Sequence, residues 1–182
     1  MIHRRLAGFV AAALAVTIGW PSQAQAPTWI RQSSNGHPVA AIGVSGGISV
    51  TVFCYAKPTP RYVLVVKGPA RGLTAGRSVN VRVEGRRKVK LRFDKVELAA
   101  VRNAILTTQG GSRGSTGDQS GALEAIEAIR TARKPITVTS GPFSVTVPAT
   151  GVEAAMAPLV SRCGDIKKMI KRAEGREGEL PS

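Results

Sequence analysis

Residues 79–93, VNVRVEGRRKVKLRF, alternate apolar and polar or charged positions so strictly that they read as a β-hairpin. Side chains of a strand point to opposite faces with a period of two, so the pattern also fixes the register. For Val79, Val81 and Val83 to share a face with Val89, Leu91 and Phe93, Val83 must oppose Val89. Glu84 then opposes Lys88, and Gly85-Arg86-Arg87 is left as the loop. A slip of one residue would turn the whole apolar set to solvent. The second face carries Arg82 opposite Lys90 and Asn80 opposite Arg92, with Arg86 and Arg87 at the tip. Directly opposed like charges cost roughly a few tenths of a kcal/mol per pair, so this face is not arranged for stability alone. Arg82, Arg86, Arg87, Lys88, Lys90 and Arg92 are therefore candidates for binding an anionic partner. The same cations also suit a solvated edge strand, where Lys and Arg deter pairing with other chains.

The alternation recurs upstream. In residues 48–55, Ile48, Val50, Val52 and Cys54 point one way and Ser49, Thr51, Phe53 and Tyr55 the other. Further strands are expected over residues 28–32, 39–44, 62–66, 136–139 and 143–147, with a turn at Ser34-Asn35-Gly36. Residues 96–106 fit a strand or a helix equally well. A glycine-rich loop, residues 110–121, precedes a helix expected over 121–133, capped by Ser120 and carrying Leu123, Ile126 and Ile129 on one side. Near the end, Thr150 and Glu153 have capping-box spacing. Val152, Ala155, Met156, Leu159, Val160 and Cys163 then form a helical stripe interrupted by Pro158 and stopped by Gly164.

The first residues have the three parts of a secretory signal: His3, Arg4 and Arg5, an apolar run over 6–19, then small residues. The run falls short of the roughly 20 apolar residues that a membrane span needs. Cleavage is expected after Ala24, because a cut after Ala26 would place Pro27 next to the scissile bond. The expected organisation is a signal peptide over 1–24, a β-rich domain over 25–165, and a basic amphipathic segment with a polar tail over 166–182. Export to the periplasm or beyond makes one disulfide the simplest fate of the two cysteines, Cys54 and Cys163. Two thiols and one mature histidine make a poor metal site.

The chain has 26 Lys and Arg against 11 Asp and Glu, and loss of Arg4 and Arg5 with the leader lowers the net charge from +15 to +13. Outside the cytoplasm such a surface suits anionic lipid, acidic glycan or an acidic protein. Aromatic residues are 4% of the chain, which leaves few stacking platforms for nucleic acid. Lys167, Lys168, Lys171 and Arg172 flank the stripe Ile166, Met169, Ile170 and Ala173, a pattern able to touch a membrane surface.

Catalytic patterns are sparse. Gly43-Val44-Ser45-Gly46-Gly47 fits the G-x-S-x-G elbow of serine hydrolases, but a strand follows instead of a helix, and His37 precedes the serine. Glu84, Asp94 and Glu97 lie among cations that suit salt bridges better than acid catalysis. No cofactor motif is present: the glycine-rich loop lacks the Lys and Ser/Thr that end a phosphate-binding loop.

The runs GLTAGRSVNVRVEG, GALEAIEAIRTARKPITVTS and FSVTVPATGVEAAMAPLVSRC, covering about half the mature chain, resemble the invasion-associated locus B family of alphaproteobacterial secreted proteins. Gly151 and Ala155 carry the Gly-x-x-x-Ala pattern of its last helix, whereas Trp29 is followed by no early cysteine, a departure from the family. The resemblance implies a non-enzymatic, β-rich exported protein, linked in some members to host-cell association. Together these readings predict a mainly β protein, an antiparallel sheet or sandwich with one or two packed helices, one of them C-terminal, and one disulfide. They point to an exported, non-enzymatic binding or accessory protein that takes no cofactor and presents a basic hairpin to an anionic partner. A structural subunit of an envelope complex is the first alternative and a hydrolase the second.

Overall fold

The computed structural model describes residues 26–77, 79–93, 95–99, 103–111 and 119–177. The expected signal peptide, Asp94, residues 112–118 of the glycine-rich loop and the last five residues of the tail lie outside the described residues. In chain order the elements are β1 (Ile30–Ser34), β2 (His37–Val44), β3 (Ile48–Tyr55), β4 (Arg61–Pro69), β5 (Val79–Glu84), β6 (Lys88–Phe93), β7 (Lys95–Ala99), β8 (Asn103–Gly111), α1 (Gln119–Arg130), β9 (Ile136–Ser140), β10 (Phe143–Val147), α2 (Val152–Cys163) and α3 (Ile166–Glu177). Two antiparallel sheets result, ordered β1-β2-β3-β4-β8-β7 and β10-β9-β5-β6. The ambiguous stretch 96–106 belongs to β7 and β8, which pair with each other.

Local chemistry explains the hairpins. Asn35 and Gly36 both take positive φ, 50° and 74°, the two-residue turn whose twist matches a hairpin, and join β1 to β2. Between β5 and β6 the register is the one the alternation demands: Val83 faces Val89, Arg82 faces Lys90, Asn80 faces Arg92 and Glu84 faces Lys88.

The apolar halves of the two sheets meet in one core. Tyr62, Leu64 and Val66 of β4 and Val50, Val52 and Cys54 of β3 are buried, as are Phe143, Val145 and Val147 of β10. β10 crosses β4 at Gly68, where an added Cβ would overlap Val145 Cγ2, so the sheets approach too closely there for any side chain. Elsewhere α1 fills the space between them, packing on β5 and β6 as well as on β4 and β8. Its buried residues, Ala122, Leu123, Ala125, Ile126, Ala128 and Ile129, run around the helix, as suits an element enclosed on most sides.

Long-range ties close the molecule. Cys54 and Cys163 are bonded across 109 residues, a loop whose closure stabilises by about 4–5 kcal/mol on the chain-entropy account. Tyr62, buried beside this bridge, donates its hydroxyl proton to the Gly164 carbonyl at 2.6 Å. Burial, reinforced by the negative charge of Asp165, raises its pKa above the ordinary phenol value. Trp29 is anchored by its main-chain N–H to Thr150 O at 3.0 Å and by its indole N–H to Pro148 O at 2.8 Å.

Helix starts differ from expectation. Ser120 lies inside α1, which ends at Arg130 rather than 133. Thr150 is not a cap: Gly151 holds the N-cap of α2 at φ 80°, with no side-chain hydrogen bond. A Cβ there would stand 2.7 Å from Thr28 Oγ1, so the N-terminal segment packed on this turn selects glycine where local spacing favoured threonine. α2 runs through Pro158 to Cys163, and Gly164 stops it as expected, its N–H bonded to Val160 O. Among the described residues there are three helices where one or two were expected, and Ile166, Met169 and Ile170 of α3 join the common core.

Candidate functional site

The hairpin cations divide into two groups. Arg82 and Lys90 are exposed on the outward face of the four-stranded sheet. Asn80 and Arg92 continue that row by register, while the Arg92 side chain lies outside the described residues. Glu84 stands between Arg82 at 3.9 Å and Lys88 at 3.7 Å. With 51% and 73% of the two basic side chains exposed, these pairs contribute little and leave both cations accessible. Toward β9 and β10 the outward face carries hydroxyls instead. Thr139 faces Arg82, Thr137 faces Glu84, and Thr137 and Thr146 hydroxyls lie 3.2 Å apart. The positive charge is thus confined to β5 and the edge strand β6.

Arg86 and Arg87 belong to a different place. The loop bends onto α1, where the Arg86 N–H donates to Ala128 O at 2.9 Å. A Cβ on Gly85 would overlap that same carbonyl. Arg87 reaches Glu124 at 3.8 Å. Both arginines line a cavity of about 470 Å³ whose other walls are α1 and one side of α3, presenting Lys167, Lys171 and Glu174. Two basic clusters some eighty positions apart in sequence therefore share one cleft. The spacing 167, 171, 174 follows one helical stripe, while Ile166, Met169 and Ile170 are buried, which fixes how α3 is turned. Lys168 and Arg172 are exposed away from the cavity lining.

Beneath the cleft lies an ion pair that sequence patterning missed. Glu127 is 5% exposed and accepts two hydrogen bonds of 2.7 Å from Arg130 Nε and Nη2. This hydrogen-bonded contact raises the Arg130 pKa, with partial burial opposing it. The i,i+3 spacing of the pair was the available signal, although many exposed pairs share it. Glu124 and Glu174 carried no such signal, because their relation to the hairpin is set by packing.

The opposite face of the six-stranded sheet has another character. By register Val39, Phe53 and Val63 lie side by side, with Ala41, Thr51, Val65 and Thr107 in the next row. Most of these are half-buried, and Ile30 at the β1 edge is 46% exposed. Charges stand toward the two ends of β4: Arg61, whose guanidinium lies 5.1 Å from the Tyr55 ring centre, and Lys67. α2 packs on β2 and β3 and is bonded through Cys163 to Cys54 on the buried side of this sheet.

Ser45 begins a 3-10 turn, Ser45–Gly47, that links β2 to β3. His37 opens β2, eight positions earlier and ~26 Å away along an extended strand. Its ring packs 4.6 Å from that of Tyr55. Ser45 and His37 therefore do not meet, in keeping with the sequence reading that set the G-x-S-x-G match aside. Among the described residues no three of His, Cys, Asp and Glu gather to hold a metal ion. Comparison of the chain with protein-family models, with curated proteins and with solved structures finds no match. The disulfide fits an oxidising, non-cytoplasmic setting. Among the described residues no helix is long and apolar enough to cross a membrane.

Proposed function

We propose that the protein is exported to the periplasm or secreted, and that it acts as a non-enzymatic binding or accessory protein by docking the β5–β6 face onto an anionic envelope or host partner. The observation that carries this reading is the directly opposed, exposed pair Arg82 and Lys90, extended by register to Arg92, beside a hydroxyl-lined neighbour face. A cationic stripe of this kind recognises anionic lipid headgroups, acidic glycan or an acidic protein rim through long-range attraction. The likeness to the invasion-associated locus B family belongs to the same proposal. The test is capture from an envelope extract: the R82E/K90E variant should lose whatever the native protein releases at high salt, because screening acts on exposed charges. Undiminished capture by that variant overturns the reading.

A second reading, a structural subunit of an envelope complex, is supported by the Phe53 face. Its occupant would be a protein with an apolar centre and an acidic rim, complementary to Phe53, Val63 and Val65 between Arg61 and Lys67. Such a partner should survive the high-salt wash that strips an electrostatic one, and V65E should release it.

A further inference from the structure

We propose that the cleft between the β5–β6 tip, α1 and α3 binds a small phosphorylated ligand through a phosphomonoester group. Arg86, Lys167 and Lys171 converge on its walls, and among the described residues none of the three makes an ion pair. Arg87, at the same rim, is shared with Glu124 at 3.8 Å. Guanidinium groups match phosphate oxygens with paired donors, and ammonium groups add point charge from the opposite wall. A phosphomonoester carries about −1.5 to −2 charges near neutral pH, which would relieve the repulsion among Arg86, Lys167 and Lys171. The cavity, about 470 Å³, falls in the range of roughly 300–1,000 Å³ common to small-molecule sites.

The walls also select against larger anions. Glu124 and Glu174 line the same cleft, and a polyanion laid across it would meet them. One phosphate on a hydroxyl-bearing body would not, because carboxylates accept hydrogen bonds from hydroxyls. Glu127, though part of the lining, has its charge taken by Arg130. The binding groups stand on fixed supports: the loop is tied to α1 through Ala128, and α3 is seated by Ile166, Met169 and Ile170. This site uses none of Arg82, Lys90 and Arg92, on which the docking proposal rests, so the two can fail separately.

The experiment uses the mature, oxidised chain, titrated with inorganic phosphate and with glucose 6-phosphate by calorimetry and amide chemical shifts. A parallel arm measures binding to phosphatidylcholine vesicles doped with phosphatidic acid. Shifts at residues 86, 87, 167 and 171 are expected with the soluble probes if the ligand is free, or with the vesicles alone if it is a headgroup. R86Q/K171Q should weaken binding by roughly tenfold or more, since each removes a charge-assisted contact. E174K, which adds a cation to the wall, should tighten it, and Lys57→Gln, far from the cleft in sequence and exposed, should leave it unchanged. The gain expected of E174K keeps the test decisive even if the double variant folds poorly. Absence of binding to every probe at millimolar concentration, or undiminished affinity in a folded R86Q/K171Q, overturns the inference. The docking proposal is judged apart from this, by capture with R82E/K90E.

Discussion

The outward faces of the two sheets are built by the same alternation and could hardly differ more. On β5–β6 the outward positions are Asn80, Arg82, Glu84, Lys88 and Lys90, whereas on β2–β4 the accessible ones are Ala41, Phe53, Thr51, Val63 and Val65. A protein that needed charge only to stay dispersed would spread it over both faces. Cations occupy the middle of the first face, whereas on the second Arg61 and Lys67 stand at the ends of β4 around apolar and hydroxyl-bearing rows, an arrangement that favours two surfaces with different tasks. It also weakens edge protection as the whole account of the hairpin. β1 is an edge strand too, yet it leaves Ile30 exposed.

The comparison can be broken at its shared base. If both faces are displays on one core, C54S/C163S should lower unfolding free energy by about 4–5 kcal/mol in urea melts and erase both binding behaviours together. Loss of one behaviour alone would mean that the faces rest on separable units. Gly68→Ala should cost about 1–3 kcal/mol by pushing β10 off β4, again without preference between faces, and thermal unfolding would show it.

Smaller stability effects should separate the two surfaces. V65E changes a half-buried outward position, so a loss under about 1 kcal/mol is expected, together with loss of any partner retained at high salt. Arg82→Thr removes one of two opposed cations and should stabilise by a few tenths of a kcal/mol, roughly the cost of a like-charged cross-strand pair. A destabilised Arg82→Thr would show that Arg82 is held by its contact with Glu84 rather than strained by Lys90.

What sequence made legible was whatever repeats at short range. The hairpin register, the bounds of β3 and the burial of both cysteines follow from a period of two or from helical spacing, and each holds. The basic face was legible for the same reason, since Arg82 and Lys90 alternate with Val83 and Val89. Nothing local, however, says that Arg86 leans on α1 or that α3 brings Lys167 and Lys171 beside it. Those neighbours are chosen by core side chains such as Ile129 and Ile170, whose contacts span long stretches of chain. The Thr150 cap failed similarly: the turn is shaped by Thr28 and Trp29, more than a hundred positions away.

The anchoring of Trp29 sets an order in time. Synthesis delivers Trp29, Cys54 and Tyr62 early, but their partners Pro148, Cys163 and Gly164 come close to the end. The first third of the chain therefore gains its last ties from residues near the other end. A chain truncated before residue 163 lacks the disulfide and the Gly164 acceptor of Tyr62, so limited proteolysis should cleave it faster than the complete chain.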